Sequence, residues 1–241
     1  MRCSIIVVAK NNVEDVRYTL DSLTCDDILE HCEVLVVDDS DNLLISSAIE
    51  NDYCRYPVQY ISGDGMSLFS AMNIGINASV GEYLWFLNSG DRRAPEFTKF
   101  DLGAMHCDLI YGNTRYKRED GSTFEVNRPK FNLSETNELR NSLPCHQSIF
   151  FKRTFLQGAK IKYNLGIPVS ADYDFIYKCI ENGASVLYFP VMVCEFSLGG
   201  ISTKYKNFKQ LIMHAKGIKI TRKLKFSQYC ILILKLSRKL F

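Results

Sequence analysis

Several things are missing from this 241-residue chain, and each absence removes a class of protein. No stretch reaches the roughly 18 to 20 apolar residues that a membrane-spanning helix needs. The apolar run near the start, Cys3 to Ala9, is too short for a secretory leader. Neither sign of charge dominates: 29 Lys plus Arg stand against 27 Asp plus Glu, so no nucleic-acid partner is expected and any basic patch must be local. The nine cysteines form no C-x-x-C pair, and their number is odd, which argues against both a structural zinc and a disulfide framework. Cys3, Cys107 and Cys194 sit in apolar runs and read as small core residues. Reduced thiols in a cytoplasmic setting are the expectation. There is no internal repeat and no low-complexity segment. Gly63-Asp64-Gly65 lacks the third glycine of a dinucleotide fingerprint, whose place falls at Leu68. It also follows the third strand rather than the first, so NAD is not expected.

What is present is a regular alternation. Residues 3–9 form a short β-branched run ending at Lys10-Asn11-Asn12, as a buried parallel strand does. From Val13 to Leu23 the apolar positions Val16, Leu20 and Leu23 recur at helical spacing, with Glu14 and Asp15 in the first turn where the helix dipole favours acids. A strand from Cys32 to Val37 ends in Asp38-Asp39, and a helix through Ile45 and Ile49 leads to a strand from Val58 to Ile61. Gly63-Asp64-Gly65 opens a helix through Leu68, Met72 and Ile76, and Tyr83 to Leu87 makes a fourth strand. This order predicts a doubly wound, mostly parallel α/β sheet, whose ligands gather outside the carboxyl ends of the strands.

After Asp91 the rhythm changes. Leu109–Tyr116 and Thr123–Val126 read as strands joined by a charged turn. Residues 128–144 read as a mobile loop over the site, with a short helix near Ser134–Arg140. Ile149–Phe151 reads as a strand, Ala171–Glu181 as a helix, and Val186–Phe189 and Met192–Phe196 as two further strands. From Lys206 onward the chain is helical in propensity and amphipathic. Arg222, Lys223, Lys225, Lys235, Arg238 and Lys239 flank the apolar run Tyr229 to Leu234, a pattern that suits a helix on anionic lipid or one packed on the main domain.

Four clusters can carry chemistry. Asp38-Asp39 at a strand end can accept hydrogen bonds from a nucleotide, or can cap a helix. Asn88-Ser89-Gly90-Asp91 can offer oxygen ligands to a hard cation, or can be an ordinary turn. Asp172 and Asp174 open a helix, where one can act as a general base and the other as a cap. Pro144-Cys145-His146-Gln147-Ser148 precedes a strand; a lone histidine such as His146 is more often structural than catalytic, and Cys145 with His146 lacks a third group to complete a nucleophilic set.

The ordered set S-I-I-V-V-A-K-N-N, V-V-D-D-S, S-A-M-N-I-G-I-N-A-S-V-G-E-Y, F-L-N-S-G-D, P-C-H-Q-S-I-F-F, S-A-D-Y-D-F and L-G-G-I-S-T resembles bacterial family 2 glycosyltransferases, in particular enzymes that build colanic acid, O-antigen and capsule repeat units. The resemblance implies a GT-A fold over residues 1–203, with a nucleotide-sugar half (1–100), an acceptor and catalytic half (101–203) and a basic amphipathic tail (204–241). It implies that Ala9, Lys10 and Asp39 hold a uracil nucleotide with Asp38 beside them, that Asn73 and Asn88 contact the donor, and that Asp91 with Asn88 binds Mn2+ or Mg2+ bridged to the donor diphosphate. The chain departs from the family here: relatives often carry acids where it has Asn88 and Gly90, and D-A-M-N where it has Ser70-Ala71-Met72-Asn73. Asp172 becomes the catalytic base, and His146, Gln147 and Asp174 line the acceptor loop.

The implied activity is inverting transfer of a hexose or N-acetylhexosamine from a UDP-sugar to a saccharide acceptor on a lipid diphosphate, at the inner face of the cell membrane. Two other readings are a nucleotide-sugar-binding protein without turnover, favoured by Asn88 and Gly90, and a sugar nucleotidyltransferase, which lacks here a Gly-rich basic loop at the first strand.

Overall fold

The computed structural model describes residues 2–24, 27–65, 67–98, 105–126, 143–167 and 171–199. Of the loop expected over 128–144, residues 128–142 with the short helix lie outside the described residues, as does the tail from 204. Along the chain run β1 (Cys3–Ala9), α1 (Val13–Thr24), β2 (Cys32–Asp38), α2 (Leu44–Asp52), β3 (Val58–Ser62), α3 (Leu68–Ala78) and β4 (Tyr83–Phe86). Then follow β5 (Arg92–Arg93), β6 (Leu109–Lys117), β7 (Thr123–Val126), β8 (Ile149–Lys152), α4 (Arg153–Gly158), α5 (Ala171–Glu181) and β9 (Val186–Ser197).

Among the described residues nine strands form one sheet in the order β3-β2-β1-β4-β8-β6-β9-β5, with β7 paired to β6. The first four strands are parallel, and β8 enters antiparallel between β4 and β6. Every residue of β1 is buried, which is why it reads as an unbroken apolar run. Its side chains alternate between two cores. Ile5 and Val7 face Val16, Leu20 and Leu23 of α1 and Ile45 of α2. Ile6 and Val8 face Phe69, Met72 and Ile76 of α3 and Phe175 and Ile176 of α5. Helices thus cover both faces, and the strand ends meet at one edge of the sheet.

Three features were not anticipated. Segment 186–197 is one strand rather than two, because it stays paired with β6 through a register jump: Tyr111 pairs with Tyr188 and Asn113 with Met192. The extra residues of β9 include Pro190, which lies in the gap between those pairs and so removes no ladder hydrogen bond. Opposite them sits Gly112, where a Cβ would come within 2.5 Å of Val193 Cγ2 and 2.6 Å of the Val191 carbonyl oxygen. The two-residue β5 and the single-turn-and-a-half α4 are too short to leave a periodic signal. The third is at α3: it begins at Leu68 with Ser67 as its N-cap, the Ser67 hydroxyl accepting from the Ser70 N–H. The glycines at 63 and 65 therefore lie in the loop before the helix.

Candidate active site

A cleft of about 1300 Å³ lies at the carboxyl edge of the sheet. One wall comes from the ends of β1 and β2. Asp39 is buried, and its carboxylate accepts from Lys10 Nζ at 3.2 Å and from the Gly65 N–H at 2.7 Å. Its own N–H donates to the Ala9 carbonyl at 2.9 Å, which ties the two strand ends together. Gly63 must be glycine, since a Cβ would lie 2.6 Å from Asp39 Oδ1. The glycine pair thus wraps a carboxylate instead of cradling a phosphate. Asp38 does not line the cleft: its side chain accepts from the Ser40 N–H at 2.9 Å, from the Ser40 hydroxyl and from Tyr60 OH at 3.4 Å.

The second corner is the loop after β4. Asp91 is buried with its Oδ1 accepting from the Ser197 N–H at 2.9 Å, and the Gln147 side chain adds a further hydrogen bond. Burial outweighs both and pushes the Asp91 carboxyl up to about 8. Next to it the Asn88 Oδ1 is buried with no partner among the described residues. The Thr19 hydroxyl of α1 donates to the Asp91 carbonyl at 2.7 Å and accepts from the Gly90 N–H at 3.0 Å, fixing the turn in which Gly90 takes φ 90°. Asp15 approaches the same turn, its carboxyl carbon 3.5 Å from where a Gly90 Cβ would stand. Among the described residues no group of three or more His, Cys, Asp or Glu is arranged to hold a metal. The donors present are hard oxygens with one orphaned, which fits Mn2+ or Mg2+ only if a diphosphate completes the shell.

The third corner is the start of α5, where Asp172 lines the cleft beside Tyr173 and Ile176. Burial raises its carboxyl to about 6, tempered by backbone N–H groups of the first helical turn. Beneath it His146 is buried and stacked on Phe86 at 4.9 Å, its Nε2 bonded to Tyr163 OH. Burial holds the imidazole down at about 3, so it is neutral. Tyr163 is stacked on Phe175 at 4.3 Å and clamped through its backbone by Asn73, which accepts from Tyr163 N–H at 2.9 Å and donates to its carbonyl at 3.0 Å. Asn73 is therefore occupied inside the fold and does not line the cleft. Asp174 also faces away, pairing with Lys178 at 2.7 Å.

The structure thus gathers Ala9, Lys10, Asp39, Asn88, Asp91, His146, Gln147 and Asp172 around one cleft and sets Asp38, Asn73 and Asp174 outside it. The 3-10 turn His146–Ser148 joins two corners, since His146 reaches Tyr163 below Asp172 while Gln147 reaches Asp91. Sequence reasoning missed Thr19, Tyr163 and Ser197. Thr19 carried a weak signal, a hydroxyl on the buried stripe of an amphipathic helix. Ser197 carried none, because its role is a backbone N–H.

A parallel four-stranded half with acids at its strand ends, continued by a mixed sheet, defines the GT-A class of nucleotide-sugar transferase folds. The solved structure of TarS residues 1–349 from S. aureus in complex with UDP-GlcNAc superposes with a TM-score of 0.68 at 17% identity, covering 98% of this chain and 71% of that one. A longer TarS structure gives 0.65 at 16% identity, covering 98% and 43%. Residues 4–158 match the family model "Glycosyl transferase family 2", and the chain belongs to that family. A PGL/p-HBAD biosynthesis glycosyltransferase of Mycobacterium bovis is 32% identical over 145 residues, 56% of this chain and 53% of the relative. An uncharacterized glycosyltransferase of Mycobacterium tuberculosis is 26% identical over 216 residues, 83% and 76% respectively. The chain spans about half the length of the PGL/p-HBAD relatives it matches.

Proposed function

We propose that the protein transfers a hexose or N-acetylhexosamine from a UDP-sugar, with inversion, to a saccharide acceptor carried on a lipid diphosphate, in the synthesis of a bacterial surface polysaccharide such as O-antigen or capsule. The observation that carries this reading is Asp172, a carboxylate that opens α5, lines the same cleft as Asp39 and Asp91, and is raised to about 6 by burial. Lys10 and Asp39 serve the nucleoside; the TarS complex with UDP-GlcNAc supports a UDP-sugar as donor. Asn88 and Asp91 would hold Mn2+ or Mg2+, which when bound offsets charge on the departing diphosphate. Asp172 takes the proton from the acceptor hydroxyl as its oxygen attacks the anomeric carbon from the face opposite the leaving group. His146, neutral and bonded to Tyr163, keeps the floor under Asp172 fixed without adding charge. The setting is cytoplasmic, at the inner membrane face, with the basic segment 204–241 as the membrane contact.

The test is a UDP-sugar panel with manganese and a synthetic lipid-diphosphate-linked amino sugar. Asp172→Asn lowers turnover by about 10²- to 10⁴-fold while leaving UDP affinity within about twofold of wild type. Because the base works deprotonated, kcat/KM climbs with pH and levels off above about 6. Near wild-type turnover in the variant sinks the assignment.

A further inference from the structure

We infer that Arg92 and Lys117 form a phosphate-binding subsite on the ring of Tyr18, at the α1 end of the cleft, that receives the phosphate or diphosphate of the acceptor. The naming of the acceptor rests on the function proposed above; the subsite itself rests on geometry. The Arg92 guanidinium carbon lies 4.7 Å from the Tyr18 ring centre and Lys117 Nζ lies 5.2 Å from it, with Lys117 Nζ also donating to Tyr18 OH at 3.0 Å. Both cations thus contact the same aromatic side chain, Arg92 at its ring and Lys117 at its hydroxyl end.

Neither cation has a carboxylate partner among the described residues, and Arg92 Nε is buried with no hydrogen-bond partner there. Lys10 and Arg17, which line the cleft with Lys117, are answered by Asp39 at 3.2 Å and by Asp52. The acids at the same end are engaged as well: Glu14 lies 3.8 Å from Arg17, Asp15 accepts from Asn12 Nδ2 at 2.6 Å, and Asp21 accepts from Tyr53 OH at 2.7 Å. A guanidinium fork beside an ammonium is chemistry suited to phosphate oxygens. Tyr18 and Lys117 both line the cleft, and Arg92 adjoins it through its contact with the Tyr18 ring. Lys117 pairs in register with Ser197, whose N–H holds Asp91, so the subsite adjoins the diphosphate corner across a single residue of β9.

The experiment measures binding of inorganic pyrophosphate and of geranyl diphosphate by calorimetry, with UDP and magnesium saturating the donor corner. Wild type binds both. Arg92→Gln and Lys117→Gln each weaken binding by about tenfold, as expected for a lost charge-assisted hydrogen bond, and UDP affinity stays within about twofold. Should Arg92→Gln melt early, Arg92→Lys keeps the charge but not the fork and gives a smaller loss, and Lys117→Gln stands alone. Unchanged diphosphate affinity in the variants, competition by UDP, or an equal loss of UDP affinity overturns the subsite. Binding of pyrophosphate but not geranyl diphosphate overturns the acceptor assignment. Failure of wild type to bind UDP at all would instead refute the donor reading, so the two failures are distinguishable.

Discussion

At the scale of single residues, the acids of the cleft work under opposite constraints. Asp39 is held by a lysine and a backbone N–H, whereas burial pushes Asp91 to about 8 and Asp172 to about 6. A raised acid binds more protons in the folded than in the unfolded chain. For Asp91 that window runs from about 4 to about 8, and stability falls as pH rises through it. His146 acts with the opposite sign, because its depressed value leaves the unfolded chain richer in protons between about 3 and 6.5, and stability rises there. Asp91→Asn keeps an oxygen for the Ser197 N–H but has nothing to ionise. Its stability gain over wild type should be near zero below pH 4 and reach on the order of 3 kcal/mol above pH 8, read as melting temperature against pH. A gain that does not vary with pH would mean that Asp91 titrates normally. The same variant should need far more manganese for any given turnover.

At the scale of elements, the junction of β6 and β9 controls the second corner, since the end of β9 supplies the Ser197 N–H to Asp91. Gly112→Ala puts a methyl group against Val193 and the Val191 carbonyl. We expect a loss of about 1 to 3 kcal/mol in a denaturant titration together with weaker manganese-dependent UDP binding, because the strand that moves carries Ser197. This junction also marks where the sequence stopped being legible. The strands and helices up to β4 were readable because each is a run of one period, either all buried or striped, with Asp39 and Asp91 following as end residues. Asp172 was readable as an acid opening a helix. The continuity of β9 was not, because a proline in its middle reads as a boundary, and only the paired strand shows that the ladder resumes. Asn73 misled for a related reason: its amide suits a ligand and a backbone clamp equally, and the clamp partner, Tyr163, lies 90 residues away.

At the scale of the whole molecule, α1 and α2 cover one face of the sheet and α3 and α5 the other, and the cleft takes Asp39 and Asp91 from the strand ends and Asp172 from the start of α5. A ligand bridging them should stabilise the entire fold. UDP with manganese at about 100 times its dissociation constant should add about 2.7 kcal/mol, a rise of roughly 5 to 10 °C in melting temperature for a domain of this size. A chelator should remove most of the rise while leaving the ligand-free melt unchanged. No shift with UDP would count against a donor site here. The Ser197 contact with Asp91 has a further meaning in time. Those two residues are separated by 106 positions, whereas the nucleotide wall is built from neighbouring strands and local crossovers. During synthesis the parallel half can therefore fold while the Asp91 corner is still unfinished. On the function proposed above, a nascent chain would become able to turn over its donor only after β9 has emerged and docked.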